Sequence, residues 1–202
     1  MRRSGLLAQI AICGAIAGCG GNPAAPTGMP LFAEGRVSMT FTPQDQTFAV
    51  AAEAYRQLWV DEGTRIIEGM ERESGLPFPE DHVNAIVFEG VSRSGSGNTP
   101  MYLRASYPPD VKKATLVHEL GHRLIAQLRI RPADVDEHRV LFLFLYDLWE
   151  RLWGRDFADQ QVTVESGRTG VYDYASAWRW ALSLGKEQRA SRFAEILKAN
   201  GR

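Results

Sequence analysis

From Val140 to Leu145 the chain reads VLFLFL, with Tyr146, Leu148 and Trp149 close behind. Set between DVDEHR and ERLWG, the run has the length of a helix and is apolar over most of its circumference. A helix of that kind has no solvent face to offer, so it should lie inside the domain. The whole chain has 202 residues, 45% of them hydrophobic and 23% charged, enough to surround such a helix with an ordinary core.

The elements available for that purpose follow from periodicity. QTFAVAAEAYRQLWVDEGTRIIEGMERESG carries apolar residues at helical spacing and stops at Gly75 before LPFP, which predicts a long helix. HVNAIVFEG and MYLRASY read as strands, separated by the loop-like SRSGSGNTP. After Pro109 the pattern is helical: a helix to about residue 129 with Asp110 as N-cap, a turn at RIRPAD, and the apolar helix capped by Asp134. Two amphipathic helices follow, around 171–184 and 187–199. Strands first and helices afterwards is an α+β pattern, with a short sheet expected to be of antiparallel type.

The first thirty residues differ in kind. MRRSGLLAQIAICGAIAGCGGNPAAPTG has two arginines, an apolar run and then small residues, the layout of a secretory signal. IAGC at 16–19 resembles a bacterial lipobox, with Gly18 directly before Cys19 and Ile16 three before it. The resemblance implies a signal peptide over 1–18, a lipid on Cys19 and a flexible tether over 19–30. Gly20, where an aspartate would signal inner-membrane retention, implies the outer membrane, facing the periplasm. The expected folded domain, 31–202, contains no cysteine, so disulfides and thiolate ligands play no part in it. A net charge of −1 gives no electrostatic reason to expect a nucleic-acid partner.

The chemistry concentrates in ATLVHELGHRLIAQL, residues 114–128. Positions four apart share one face of a helix, so His118 and His122 can aim ring nitrogens at one point. Zinc (Zn2+) accepts neutral imidazole at about 2.0–2.1 Å, which suits that spacing. Glu119 sits about 100° round the helix, placed to take a proton from a water on the metal. Without a metal, two buried histidines on an apolar helix would need other partners.

HELGH after a strand and before a helical half resembles the zincin metallopeptidases over roughly residues 83–150. The resemblance implies a zinc-dependent hydrolase of peptide or protein substrates, with Glu119 catalytic and His118 and His122 on the metal. It also implies that MYLRASY presents an open edge to an extended substrate. Arg123 stands where zincins usually carry an uncharged residue. The long metzincin motif would need glycine at 125 and histidine at 128, where this chain has Ile125 and Leu128. Gluzincins usually take a third ligand 19 or 20 residues past the second histidine, but those positions are Leu141 and Phe142.

The nearest alternatives are Glu137 and His138, with Glu165 more distant. Asp147 lies about 80° from Glu137 and about 180° from His138 on a helix, which favours Glu137 if Asp147 supports a ligand histidine. The expected metal set is therefore His118, His122 and Glu137. Tyr146, Tyr172 and Tyr174 are candidates for stabilising an oxyanion. A binding or assembly lipoprotein with a structural or relic zinc site is the competing function.

Overall fold

A computed structural model describes residues 36–130, 135–170 and 172–202. The expected signal peptide and tether, and the expected cap Asp134, lie outside these residues. The chain begins with strand β1 (Ser38–Pro43), a 3-10 turn at Gln46–Phe48, and the long helix α1 (Ala49–Ser74). Gly75 ends α1 with φ +69°, a left-handed value that glycine adopts without steric cost, and its N–H bonds Glu71 O at 2.8 Å. Strands β2 (His82–Phe88) and β3 (Met101–Arg104) follow, then five helices: α2 (Pro109–Ile125), α3 (Glu137–Trp153), α4 (Arg155–Ser166), α5 (Tyr174–Leu182) and α6 (Lys186–Ala199).

The α+β class holds, but the sheet is parallel and not of antiparallel type. Its order is β1-β2-β3, with Ser38 opposite His82 and Ala85 opposite Met101. The reason is in the connections. Helix α1 carries the chain back between β1 and β2, and residues 89–100 are long enough to return it between β2 and β3 without a hairpin. The expected open edge of β3 is also partly taken. Tyr102 exchanges backbone hydrogen bonds with Arg93 at 2.8 and 3.0 Å, an antiparallel bridge, and Ser92 Oγ accepts from Arg104 N at 3.1 Å.

Helix α3 occupies the interior as its composition requires. Every residue from Val140 to Trp149 is buried, and α1, α2, α4, α5 and α6 all pack against it. Full burial of each large apolar side chain contributes about 1.5–3 kcal/mol, so this helix organises the core. Val83, Ala85 and Val87 of β2 and Met101 and Leu103 of β3 join the same cluster. Helix α2 is buried along almost its whole length. At its centre, a Cβ on Gly121 would come within 2.4 Å of Leu141 Cδ1, so glycine there sets how closely α2 and α3 approach.

Two helix starts differ from expectation by small amounts. Helix α2 opens at Pro109, with Asp110 in its first turn rather than at the cap. The N-cap of α3 is Asp136, whose carboxylate accepts from Arg139 N at 3.0 Å.

Candidate metal centre

Three histidines converge where α2 meets the first turn of α3. His118 Nε2 and His122 Nε2 face each other 3.1 Å apart, and one nitrogen from each of His118, His122 and His138 lies within 4.8 Å of the others. Two nitrogens bound to one tetrahedral zinc at about 2.0–2.1 Å would be about 3.3 Å apart, a spacing that the His118–His122 pair already has. His118 is 1% exposed and His122 is 9% exposed, a burial that makes an unmetallated cluster of rings costly.

The outer nitrogens of two of the rings face carboxylates. His122 Nδ1 bonds Glu137 Oε1 at 2.7 Å, and His118 Nδ1 lies 2.9 Å from Glu165 Oε1. The His118 approach is an ion-pair contact rather than an aligned hydrogen bond, and neither atom has a hydrogen-bond partner among the described residues. The hydrogen bond from His122 Nδ1 to Glu137 favours the ring proton there and leaves the His122 Nε2 lone pair for a metal. Glu165 is itself fixed by Trp178 Nε1 at 3.1 Å and by Arg168 Nη1 at 3.3 Å.

The expected set is thus rearranged in one place. Glu137 Oε1 meets the outer nitrogen of His122, and the third side chain in the convergent group is His138. Asp147, expected to support a ligand histidine, is paired instead with Arg189 at 2.7 and 2.9 Å. Glu165 also reaches the site, not as a third ligand but behind His118. Its helix, α4, buries Ala158, Gln161 and Glu165 at helical spacing, a face too polar to stand out as periodic hydrophobicity. The exposed His82 at the start of β2 stands apart from the cluster, held by Ser38 Oγ at 2.7 Å and Asn84 Oδ1 at 3.0 Å.

Electrostatics follow the burial. Burial pushes the Glu119 carboxyl above its ordinary range, despite the neighbouring histidines. Burial and the rings of His118 and His122 hold His138 down to about 3, so it stays neutral at physiological pH. For His118, burial opposes the charged form, but the adjacent Glu165 carboxylate outweighs it and raises the pKa. The hydrogen bond from His122 lowers that of Glu137.

Sequence reasoning did not single out Arg168. Its Nη2 donates to Thr115 Oγ1 at 3.1 Å, and its guanidinium lies 5.7 Å from the Tyr174 ring and 5.9 Å from the Tyr107 ring. Of the three candidate tyrosines, Tyr146 donates to Asp159 at 2.7 Å and Tyr172 donates to Asp136 at 2.6 Å. Tyr174 alone among them lies beside His118 and His138 without a carboxylate partner among the described residues, at 6.2 and 5.0 Å between centroids.

A cavity of about 800 Å3 is bordered by Arg129, Val140, Arg192 and Arg202, and another of about 450 Å3 by Arg36, Glu80 and Asn98. Neither shares a residue with the histidine cluster.

The arrangement makes a direct prediction about metal content. His138→Ala is expected to abolish stoichiometric zinc in the purified chain. Glu137→Ala should weaken zinc by only about 10–100-fold, as for other carboxylates behind a ligand histidine. Elemental mass spectrometry and competition with a chromogenic chelator measure both. Complete loss in the Glu137 variant alone would restore Glu137 as the ligand.

The fold and cluster together define an α+β domain with a three-histidine site suited to a divalent metal. No family model matches the chain, and neither curated proteins nor solved structures yield a match. The resemblance to zincins therefore rests on the motif residues themselves.

Proposed function

We propose that this protein is a zinc-dependent peptidase acting outside the cytoplasm, tethered by a lipid on Cys19 to a bacterial membrane, the outer one favoured. The observation that carries the activity is the convergence of three imidazoles beside a buried glutamate. Three protein ligands leave the fourth position of zinc to water, the arrangement of catalytic rather than structural zinc sites. When bound, zinc supplies Lewis acidity, polarising a carbonyl and making water acidic near neutral pH.

The chain's own residues do the rest. Glu165 and Glu137 hold the rings of His118 and His122 in orientation. Glu119 accepts a proton from the attacking water and passes it to the leaving amine; its raised pKa suits both transfers. Arg168 and Tyr174 offer donors beside the cluster for negative charge developing on a carbonyl oxygen.

The substrate class is peptide or protein, and the near-neutral charge supports no nucleic-acid partner. The lipid anchor is supported by the IAGC sequence at 16–19. No helix among the described residues is long and apolar enough to cross a membrane.

Removing metal tests the activity. The purified chain is incubated with a library of unstructured peptides before chelation, after chelation, and after zinc is restored. Cleavage should disappear with the metal and return with it; cleavage indifferent to chelation would refute a metallopeptidase.

A binding or assembly lipoprotein with a structural zinc is the second reading. It is favoured by depth, since the side chains of His118 and Glu165 are each 1% exposed. Tightly held zinc with no cleavage of any library peptide would select it.

A further inference from the structure

The third histidine is held differently from the other two. His118 and His122 each set Nδ1 against a carboxylate, whereas among the described residues His138 has no hydrogen-bonding carboxylate. Its ring lies nearly flat on Tyr172 instead, with centroids 4.1 Å apart and planes 25° from parallel, and meets Tyr174 edge-on at 5.0 Å. The Tyr172 ring is in turn tied down: its hydroxyl donates to Asp136 Oδ1 at 2.6 Å. The same oxygen accepts from Arg139 N at 3.0 Å, and Asp136 Oδ2 accepts from Arg139 Nη1 at 2.9 Å.

We infer that Tyr172, anchored on Asp136, is the positioning residue for His138. An imidazole without an acceptor at its second nitrogen is free to turn about its Cβ–Cγ bond, which would carry the ligating nitrogen away from the other two. A flat aromatic contact limits that rotation, and the bond to Asp136 keeps the tyrosine ring from sliding off. Because Asp136 is also the N-cap of α3, one carboxylate fixes the start of the helix that carries His138 and the ring that orients it. The hydroxyl of Tyr172, committed to Asp136, is not the donor to a reacting oxygen. Its contribution passes through His138.

This inference rests on the metal-site reading, and its test separates the two. Zinc and cobalt(II) are titrated into the full-length protein and into Tyr172→Phe and Tyr172→Leu, with circular dichroism and thermal unfolding of each metal-free chain as the folding control. Tyr172→Phe keeps the ring and loses its anchor, so the zinc Kd should rise about tenfold; Tyr172→Leu loses both and should approach 100-fold, the range for residues that orient a ligand. The visible bands of cobalt(II) should weaken and shift in the same order as His138 gives way to water, a change that a residue serving only the fold would not cause.

Variants that bind both metals within twofold of the parent, with unchanged cobalt spectra, would overturn the inference and leave the three-histidine site standing. If Tyr172→Leu does not fold, Tyr172→Phe decides by the same criteria. A folded parent that binds neither metal would overturn the site itself, and the inference with it.

Discussion

Glu119→Gln is expected to lower peptide cleavage by about 10²–10⁴-fold, the range for a positioned general base, while zinc content and fold stay as they are. Glutamine fills the same space on α2, and Glu119 follows His118 there without belonging to the convergent set, so the ligands keep their geometry. Stability should not fall. Glu119 is 5% exposed, and burial disfavours its charged form, so a neutral amide of equal size removes a cost rather than a support. The proof is a pair of measurements on one preparation: initial rates on a cleavable peptide, and zinc per chain. Cleavage retained at the parent rate in a zinc-loaded variant would assign the proton transfer elsewhere and remove the mechanism proposed for this site.

The parts of the fold that sequence conveys are those where a single element carries its own signal. Val140 to Leu145 states its burial in its composition, and the long helix ending at Gly75 states its length and its stop. His118 and His122 are fixed relative to one another by four residues of helix, so their convergence is local information. What sequence did not convey depends on partners far along the chain. Asp147 reads as a supporter of a ligand histidine until Arg189, 42 residues on, claims both its oxygens.

Glu165 reaches His118 from a helix whose buried face is alanine, glutamine and glutamate. Strand β1 was missed although Met39 and Phe41 alternate with Ser38, Thr40 and Thr42; six residues, none of them fully buried, give a weak period-2 signal before a strong helix. Strand sense depends on the path between strands, and composition is silent about that path.

Arg123→Ala is expected to destabilise the fold by about 3–5 kcal/mol, the cost of breaking a buried ion pair. The side chain of Arg123 is 0% exposed, and that of Glu80 is 16% exposed. The guanidinium meets Glu80 at 2.7, 3.1 and 3.2 Å, then reaches three carbonyls of the loop before β3: Ser94 at 2.5 Å, Gly97 at 2.8 Å and Thr99 at 3.2 Å. All its donors are used, which explains a buried charge in the last turn of α2, one residue past His122.

Alanine would leave the three carbonyls without this donor and Glu80 without its cation. Lysine would not rescue, because one ammonium cannot span a carboxylate and three carbonyls as the planar fork does. The loop that Arg123 holds continues from the segment where Arg93 pairs with Tyr102, so loss of the anchor should also loosen that bridge. Urea unfolding gives the stability, and hydrogen exchange at the Tyr102 amide reports the bridge. A loss below 1 kcal/mol with Tyr102 still protected would mean that the loop is held by its own turns, and that β3 keeps its cover without help from the helix that carries the histidines.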